Sequence, residues 1–343
     1  MKDTILINVP IEPLPERYSI QWDTWFKKEF EQSFACVHTI YGDTSTRKIE
    51  VGSFLDVFDT NQYKASQLHQ IIQLIRKDTS KKYILFFHDL WFPGLEALAY
   101  IRDGGDINLK ITGCLHAGSY DPFDFLTRKG MHVWAESLEN SWFSIVDTIF
   151  VATKFHAELL LRERNINPDK LVVSGFPLYD DFTFTQPKEN IVVFPHRLDV
   201  EKQPHVFDYI AKECSRNSWR FIKTKDVCES KDQYYSLLAR SKIAVSFALQ
   251  ETWGIAMQEA VYFLNIPICP ASLSYPELYP HEFLYDPDNL QEAIKLIRRH
   301  MLLWEFQEQT IVNNLQETKK NLVDNNETAI SQITHKLITD YVK

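Results

Sequence analysis

Residues 245–279, VSFALQETWGIAMQEAVYFLNIPICPASLSYPELY, carry the strongest structural signal in this chain. The apolar run 243–248 predicts a buried parallel strand, and after a polar break the apolar periodicity of 255–262 predicts a helix. Backbone N–H groups point outward where a strand, a glycine turn and a helix N-terminus meet, so the segment is a candidate anion site. Glu251 and Glu259 flank the turn eight positions apart. Two carboxylates beside an anion site indicate a ligand with both phosphates and hydroxyls, such as a nucleotide-sugar.

The same alternation of strand and helix patterns extends over most of the chain. Amphipathic stretches such as 67–76 separate short apolar runs. In the first half, strands are predicted at 5–9, 34–40, 83–87, 111–115, 148–152 and 171–174. In the second half, strands are predicted at 191–194, 219–223, 243–248 and 266–270, and helices at 206–214, 233–239 and 290–299. This pattern is typical of doubly wound α/β domains.

The length of 343 residues exceeds one typical core and predicts two domains, with the polar stretch 180–190 as a linker. We expect a Rossmann-like N-terminal domain at 1–186 and a second Rossmann-like domain at 187–320. We expect residues 321–343 to form a helical tail, which can pack back on the first domain. The cleft between the carboxyl ends of two parallel sheets is the expected ligand site.

Composition and missing motifs exclude several classes of protein. The sequence has no uninterrupted apolar run of about 18 residues, so no stable membrane insertion is expected. It has no GxGxxG and no GxxxxGK[ST], which argues against a dehydrogenase and a P-loop kinase. The net charge of −9 argues weakly against a large nucleic-acid footprint.

The cysteines and histidines indicate a cytoplasmic protein without a metal site. No CxxC pair and no metal-ligand spacing of histidines occurs in the sequence. We therefore expect free thiols in a reducing cytoplasm. The five cysteines are Cys36, Cys114, Cys214, Cys228 and Cys269.

Two cations follow the predicted strand 191–194. Arg197 and Lys202 lie at the strand end, where an α/β sheet presents residues to its ligand, and together they can neutralise a diphosphate. The alternative is a solvated loop before a helix, although a lysine at a helix N-terminus opposes the dipole and needs a compensating reason. Glu251 and Glu259 have a similar alternative, since acids favour the first turn of a helix.

Arg197, Lys202 and the pair Glu251/Glu259 resemble the pattern of retaining GT-B glycosyltransferases of the family 4 type. The second domain is most similar to the tRNA-queuosine mannosyltransferase family. The segments that carry this likeness are FPHRLDVEKQP (194–204), ETWGIAMQEAVY (251–262), CPASLSYPELYP (269–280) and EFLY (282–285). The resemblance implies an α/β GT-B fold, in which two Rossmann-like doubly wound domains face each other across a cleft.

The resemblance also implies the roles of the donor residues. The arginine and the lysine would bind the donor diphosphate, with Gly254 and Ile255 at the helix N-terminus. The first glutamate would contact the donor sugar, and the second the nucleoside ribose. In the first domain, ITGCLHAGS (111–119) resembles the place where such enzymes put a histidine on the donor sugar, so His116 joins Arg197, Lys202 and Glu251 as a catalytic candidate. A loop histidine without a role in the chemistry is the alternative.

The first domain departs from the queuosine enzymes after this histidine, at AGSYDPFDFLTRKG (117–130), where the acceptor should bind. Loop or helix-capping roles are the alternative for each aspartate there. Aromatic residues at 91, 92, 120, 123 and 125 form a rim that can stack on bases or sugars or belong to the core, and Arg128 and Lys129 can meet a phosphate or be solvated. The acceptor-binding candidates are His88, Asp89, Tyr120, Asp121 and Asp124.

The leading hypothesis is a retaining transferase of hexosyl or pentosyl groups that uses a nucleoside-diphosphate sugar as co-substrate and needs no cofactor and no metal. Its acceptor is a modified nucleoside in tRNA or DNA, or alternatively a glycan, a lipid or a small molecule. A different class is a non-catalytic module that binds nucleotide-sugars, and a third is a nucleotide-sugar epimerase on the same fold.

Overall fold

A computed structural model describes residues 3–14, 17–44, 57–214 and 218–342. The chain divides into two compact units. Unit 1 comprises Met1–Pro177 and Thr328–Lys343, and unit 2 comprises Leu178–Glu327. The division falls earlier in the chain than the boundary predicted at residue 186, and it assigns the end of the chain to unit 1.

Unit 1 contains a six-stranded, fully parallel sheet in the order β2-β1-β3-β4-β5-β6. The central strands β1, β3, β4 and β5 are almost entirely buried, which is why they are nearly continuous apolar runs in the sequence, whereas the edge strands β2 and β6 are partly exposed. Pairing of β1 with β3 runs from Thr4 opposite Lys82 to Val9 opposite Phe87. The strands are β1 Thr4–Val9, β2 Val37–Thr39, β3 Lys82–Phe87, β4 Leu109–Cys114, β5 Thr148–Val151 and β6 Leu171–Val173.

Helices connect these strands and pack their apolar faces on the sheet. Ile71 of α2, Leu98 of α3 and Trp142 of α5 belong to a single core with the strand residues Leu85 and Ile111. The helices are α1 Ser19–Ser33, α2 Val57–Lys77, α3 Leu95–Gly104, α4 Phe125–Arg128, α5 His132–Ile145 and α6 Lys154–Glu163, and a 3-10 turn covers Pro168–Lys170.

Unit 2 contains a five-stranded parallel sheet in the order β11-β10-β9-β7-β8. Its strands are β7 Ile191–Phe194, β8 Arg220–Lys223, β9 Ile243–Val245, β10 Ile266–Pro270 and β11 Leu284–Tyr285. Its helices are α7 Pro204–Cys214, α8 Thr224–Val227, α9 Lys231–Arg240, α10 Ile255–Tyr262, α11 Tyr275–Leu278 and α12 Leu290–Phe306, with 3-10 turns at Val200–Lys202 and His281–Phe283.

The last helix, α13 Glu308–Tyr341, runs from unit 2 into unit 1. Within unit 1 the hydroxyl of Tyr341 hydrogen-bonds the Thr148 hydroxyl at the start of β5. The ammonium of Lys110 on β4 lies 5.7 Å from the centre of the Tyr341 ring. The end of the chain is therefore attached to the amino ends of β4 and β5.

Two predicted strands are shorter than their apolar runs. The run 243–248 gives a strand only to Val245. The Ser246 N–H still donates to the Ile268 carbonyl of β10, but the Ala248 N–H turns back to the Ser246 hydroxyl, which also contacts His196 and Tyr275. The prediction of a strand from residue 34 is also wrong. The Phe34 N–H bonds the carbonyl of Phe30 and completes α1.

Three further predictions concern the cysteines, membrane spans and metal sites. The cysteines are free thiols, as predicted. Among the residues that the structure describes, no helix is long and apolar enough to cross a membrane. The same described ranges hold no group of three or more His, Cys, Asp or Glu side chains that could bind a metal ion.

Candidate functional site

The candidate site of unit 2 lies at the carboxyl ends of two neighbouring strands. The 3-10 turn Val200–Lys202 follows β7, and a loop from Ser246 to Gly254 joins β9 to α10. The backbone N–H of Leu249 donates to the carbonyl of Glu201 at 2.8 Å, which fixes the two loops to each other. Sequence segments about fifty residues apart therefore meet at one edge of the sheet.

Lys202 and Glu251, two of the residues predicted to bind the donor, meet at this edge. Lys202 Nζ lies 3.3 Å from Glu251 Oε2 and also donates to the carbonyl of Gln250. The two side chains are only 8% and 16% exposed. Burial acts to raise the pKa of Glu251, but Lys202, His196 and the Gly254 N–H outweigh it, so the pKa is lowered. Glu251 is thus held ionised beside a buried cation.

Arg197 also has carboxylate partners. Its Nε donates to Asp199 Oδ2 at 2.9 Å and to Glu201 Oε1 at 3.1 Å, and its Nη2 makes a further bond to Glu201. Glu201 is fully buried, whereas the Arg197 side chain is one-third exposed. Glu201 was not predicted from the sequence, although its spacing of four residues from Arg197 was a usable signal.

Gly254 caps the N-terminus of α10. Its φ of +75° lies in the left-handed region, which explains why glycine occupies the position. The Gly254 N–H donates to Glu251 Oε1 at 2.9 Å. Ile255 is the first residue of the helix. The first predicted glutamate, the glycine and the helix N-terminus form one continuous structure, where the helix dipole favours negative charge.

We expect Gly254→Ala to lower the free energy of unfolding by about 1–2 kcal/mol and to weaken binding of a nucleoside diphosphate. A Cβ would lie 3.4 Å from Tyr275 and 3.5 Å from Leu278, so space is sufficient and the cost is the left-handed backbone. Gly130→Ala is a matched control, because its φ is +73° and no atom lies within 4 Å of the added Cβ. Urea unfolding should show a similar loss in both variants, and calorimetric titration with UDP and GDP should show weaker binding in Gly254→Ala alone. Equal binding in the two variants would argue against an anion site at this turn.

Glu259 is buried on α10 and accepts two hydrogen bonds. The hydroxyl of Tyr234 donates to Oε2 at 2.9 Å, and that of Tyr235 donates to Oε1 at 3.0 Å. Burial raises the pKa of Glu259, while the nearby charge of Lys231 opposes the rise. These three residues of α9 were not identified from the sequence. An adjacent tyrosine pair in a sequence is a weak signal of a binding site. Only the packing of α9 against α10 shows that both hydroxyls reach Glu259.

A buried polar network lies beneath the cations. His196 Nε2 is 2.9 Å from the Ser246 hydroxyl, which lies 2.7 Å from the hydroxyl of Tyr275. The hydroxyl of Tyr285 donates to the Ser246 carbonyl at 3.0 Å. Burial, aided by the charge of Lys202, lowers the pKa of His196 to about 3. The network therefore connects a neutral histidine to the polar break after β9.

In unit 1, His116 follows β4 and is half-buried among aromatic rings. Its Nε2 lies 2.8 Å from the carbonyl oxygen of His88, and its Nδ1 lies 3.2 Å from the hydroxyl of Tyr18. The rings of Trp22 and Phe176 lie 5.0 and 4.9 Å from its ring centre. Burial lowers the pKa of His116, so neutral imidazole is favoured. Its predicted contact with the donor sugar stays a prediction.

The acceptor candidates have different surroundings. His88 is fully buried, and its Nε2 lies 2.8 Å from Asn8 Oδ1. Asp89, which is partly exposed, accepts from the Trp91 N–H at 3.1 Å and lies 3.7 Å from the Lys64 ammonium. Of these two, only Asp89 has a side chain that solvent reaches.

The remaining three candidates are buried in the loop after β4. Tyr120 has its hydroxyl 2.7 Å from His156 Nε2. Asp121 accepts the Phe123 N–H at 2.8 Å, and Asp124 caps α4 by accepting the Leu126 N–H at 2.8 Å. The structure gives both aspartates the turn and capping bonds that were the alternative to acceptor binding.

A buried ion pair that the sequence analysis missed holds this loop. Arg164 Nη2 and Glu139 Oε2 are 3.0 Å apart, and the two side chains are 5% and 1% exposed. Glu139 also accepts the Ser119 N–H at 2.7 Å, and Arg164 donates to the Ser119 hydroxyl at 2.9 Å. Ser119 lies three residues after His116, so the ion pair fixes the chain next to that histidine.

Acid should destabilise the protein through its buried histidines. Burial lowers the pKa of His88, His156 and His196 to about 3 in the folded state. The unfolded chain binds these protons first, near pH 6.5, so stability is complete above that pH and falls as the pH drops toward 3. Each histidine contributes about 1.4 kcal/mol per pH unit in this window.

The measurement is urea unfolding at several pH values between 7 and 5. His156→Gln can keep a hydrogen bond to the Tyr120 hydroxyl but does not titrate, so it should reduce the loss. The exposed His69 on α2 supplies the control, His69→Gln. If the free energy of unfolding of both variants depended on pH in the same way, His156 would not contribute to the acid destabilisation.

Comparison with solved structures identifies the fold. Sucrose-phosphate synthase from Thermosynechococcus elongatus superposes with a TM-score of 0.74 at 10% identity, over 99% of each chain. HepE from Anabaena, in complex with UDP and glucose, gives 0.66 at 12% identity over 98% of this chain and 99% of the other. A UDP-forming α,α-trehalose-phosphate synthase from Burkholderia xenovorans gives 0.65 at 12% identity over 100% of each. The chain has the GT-B fold, as predicted.

Similarity in sequence is local. A stretch of 59 residues is 41% identical to the tRNA-queuosine alpha-mannosyltransferase of Drosophila melanogaster. This stretch covers 17% of this chain and 16% of that protein. The match thus spans about a sixth of the curated relative. No protein-family profile matches the chain.

Proposed function

We propose that this protein is a retaining glycosyltransferase that moves a sugar from a nucleoside-diphosphate donor to an acceptor. The observation that carries the proposal is the buried pair of Lys202 and Glu251, 3.3 Å apart beside the N-terminus of α10, on a GT-B fold. Cation, carboxylate and helix N-terminus meet at the carboxyl ends of parallel strands, where α/β folds bind ligands.

Lys202 and Arg197 are proposed to bind the donor diphosphate. The lysine ammonium has three N–H donors, and within the described residues it uses two, for the Gln250 carbonyl and for Glu251. The third can meet a phosphate oxygen. The arginine side chain is one-third exposed, so its guanidinium can also hydrogen-bond the diphosphate.

Glu259 is proposed to bind the donor ribose. A carboxylate accepts about four hydrogen bonds. Tyr234 and Tyr235 take one position on each oxygen, so a position on each remains for the ribose hydroxyls. The two tyrosines also fix the carboxylate, which reduces the ordering cost on binding.

In the proposed reaction the bond between the anomeric carbon and the diphosphate oxygen breaks, and the acceptor oxygen bonds to that carbon on the same face. The acceptor proton passes to the departing phosphate oxygen, so no protein base is required. Lys202, Arg197 and the N-terminus of α10 stabilise the charge that develops on the diphosphate. These groups can supply the role of a divalent metal, and we propose a reaction without a metal or another cofactor.

We propose a modified nucleoside in tRNA or DNA as the acceptor and the cytoplasm as the location. The local likeness to a tRNA-queuosine alpha-mannosyltransferase supports the acceptor class, and the free thiols agree with a reducing compartment. A glycan, lipid or small molecule is the alternative acceptor, since WaaB, a lipopolysaccharide outer core galactosyltransferase, has the same fold at 14% identity and a TM-score of 0.58.

The test incubates the protein with UDP- and GDP-sugars and with tRNA, hydroxymethylated DNA or a glycan, followed by mass spectrometry of the digested nucleosides and of the glycan. The expected result is a product heavier by one sugar residue, with the anomeric configuration of the donor. Binding without turnover would instead favour a nucleotide-sugar binding module. An isomerised donor sugar without transfer would favour an epimerase.

A further inference from the structure

Residues 123–134, here called the aromatic–basic segment, combine exposed apolar side chains with cations. Phe123, Val133 and Trp134 are 38%, 74% and 48% exposed. Arg128 and Lys129 are also exposed. The single acid among these twelve described residues, Asp124, is buried and caps α4, so the segment itself exposes no carboxylate, and the next acid along α5 is the exposed Glu136. Such a surface is complementary to a polyanion that carries aromatic groups.

The segment lies beside the loop that contains His116. It follows β4, so it lies at the carboxyl edge of the unit 1 sheet. The hydroxyl of Thr127 donates to the carbonyl of Ser119 at 3.0 Å. The Trp134 ring packs edge-on against Trp91, with ring centres 6.4 Å apart, and Trp91 belongs to the loop after β3. The exposed surface is thus attached to two loops that hold acceptor candidates.

We propose that the aromatic–basic segment binds a single-stranded or unpaired stretch of nucleic acid that contains the acceptor nucleoside. Arg128 and Lys129 contact phosphates, and the exposed part of Trp134 stacks on a base. The proposal rests on the proposed function, for which it names the partner surface. It also explains how a chain with a net charge of −9 can bind a polyanion, because the positive charge is local.

A lipid membrane is the other partner that cations and aromatic residues attract. The helix that presents Trp134 already uses its apolar face, since Ala135, Trp142 and Phe143 of α5 are buried in unit 1. A bilayer would therefore meet little more than Val133 and Trp134 on this helix, far less than an interfacial helix buries. Nucleic acid is the better match.

The test measures binding of the full chain to labelled oligonucleotides of single-stranded DNA and RNA, to tRNA and to vesicles containing phosphatidylserine. We compare the wild type with the double variant Trp134→Ala/Lys129→Glu. The matched control is Tyr209→Ala/Lys212→Glu, an exposed tyrosine and lysine three residues apart on α7 of unit 2. Thermal melting confirms that both variants fold.

The expected result is binding that weakens with salt and falls at least about tenfold in the segment variant but not in the control. The DNA, RNA and tRNA arms identify the nucleic acid. Failure of the wild type to bind any nucleic acid, equal losses in both variants, or a loss confined to vesicles would overturn the proposal. Donor binding, measured by thermal shift with UDP- and GDP-sugars, is independent of the segment. Binding of a donor without binding of any nucleic acid would therefore overturn this proposal and leave the proposed glycosyl transfer standing.

Discussion

Replacing Lys202 with methionine should lower sugar transfer by at least about 100-fold. The ammonium is proposed to hold the departing diphosphate, and loss of one preorganised donor to developing charge costs about 10²–10³ in rate. Methionine has a similar length, so packing around the 8% exposed side chain is retained. The measurement is the initial rate of nucleoside-diphosphate release in the presence of acceptor.

Stability provides the control for this variant, because methionine leaves the Glu251 carboxylate without its cation. We expect a loss of about 3 kcal/mol in the free energy of unfolding. The double variant Lys202→Met/Glu251→Gln restores the charge balance and should recover most of that loss without recovering transfer. If the double variant regained wild-type transfer, the cation would be structural only.

Arg197→Ala should also abolish transfer, but this variant tests the role of the cation in catalysis less directly. The arginine is an observed partner of the fully buried Glu201, so its removal takes a cation away from a buried carboxylate. Loss of activity in that variant can come from either cause, and urea unfolding is needed to tell them apart.

Replacing Glu259 with glutamine should weaken donor binding by about 10- to 100-fold. A hydrogen bond to a charged group contributes about 1.5–3 kcal/mol, and the amide keeps only one acceptor oxygen and no charge. The amide can still bond both tyrosine hydroxyls, so the fold should change little. Calorimetric titration with UDP and GDP gives the dissociation constants, and Glu158→Gln on the exposed side of α6 is the control.

The 2′-deoxy forms of the same nucleotides show whether the ribose is the group recognised. The wild type should bind them more weakly than the ribonucleotides, and Glu259→Gln should bind both forms equally. A wild-type preference that survives unchanged in Glu259→Gln would remove this residue from the ribose site.

The order of the strands other than the two-residue β11 could be predicted because central parallel strands leave apolar runs that length and alternation identify. β7 and β10 were predicted with the bounds that the structure shows. The Gly254 turn was also readable, because glycine is among the residues that cap a helix N-terminus and here it comes directly before an apolar-periodic segment. These signals are local in the sequence.

Side-chain partnerships were not readable, because they depend on which elements are neighbours in space. Tyr235 and Glu259 are 24 residues apart and meet only because α9 packs on α10. Ser119, Glu139 and Arg164 form one network from three separate elements. The burial of His88 also escaped prediction, because it depends on α1, whose Trp22 and Phe26 rings lie 6.2 and 4.7 Å from the His88 ring centre.

The central claim is that unit 2 binds a nucleoside-diphosphate sugar through Lys202, Glu251 and Glu259. Titration calorimetry with a panel of UDP- and GDP-sugars on the wild type and on Lys202→Met tests it most directly. We expect saturable one-to-one binding of at least one donor to the wild type and a loss of at least about tenfold in Lys202→Met. Absence of binding across the panel, or equal affinity in the two proteins, would contradict it.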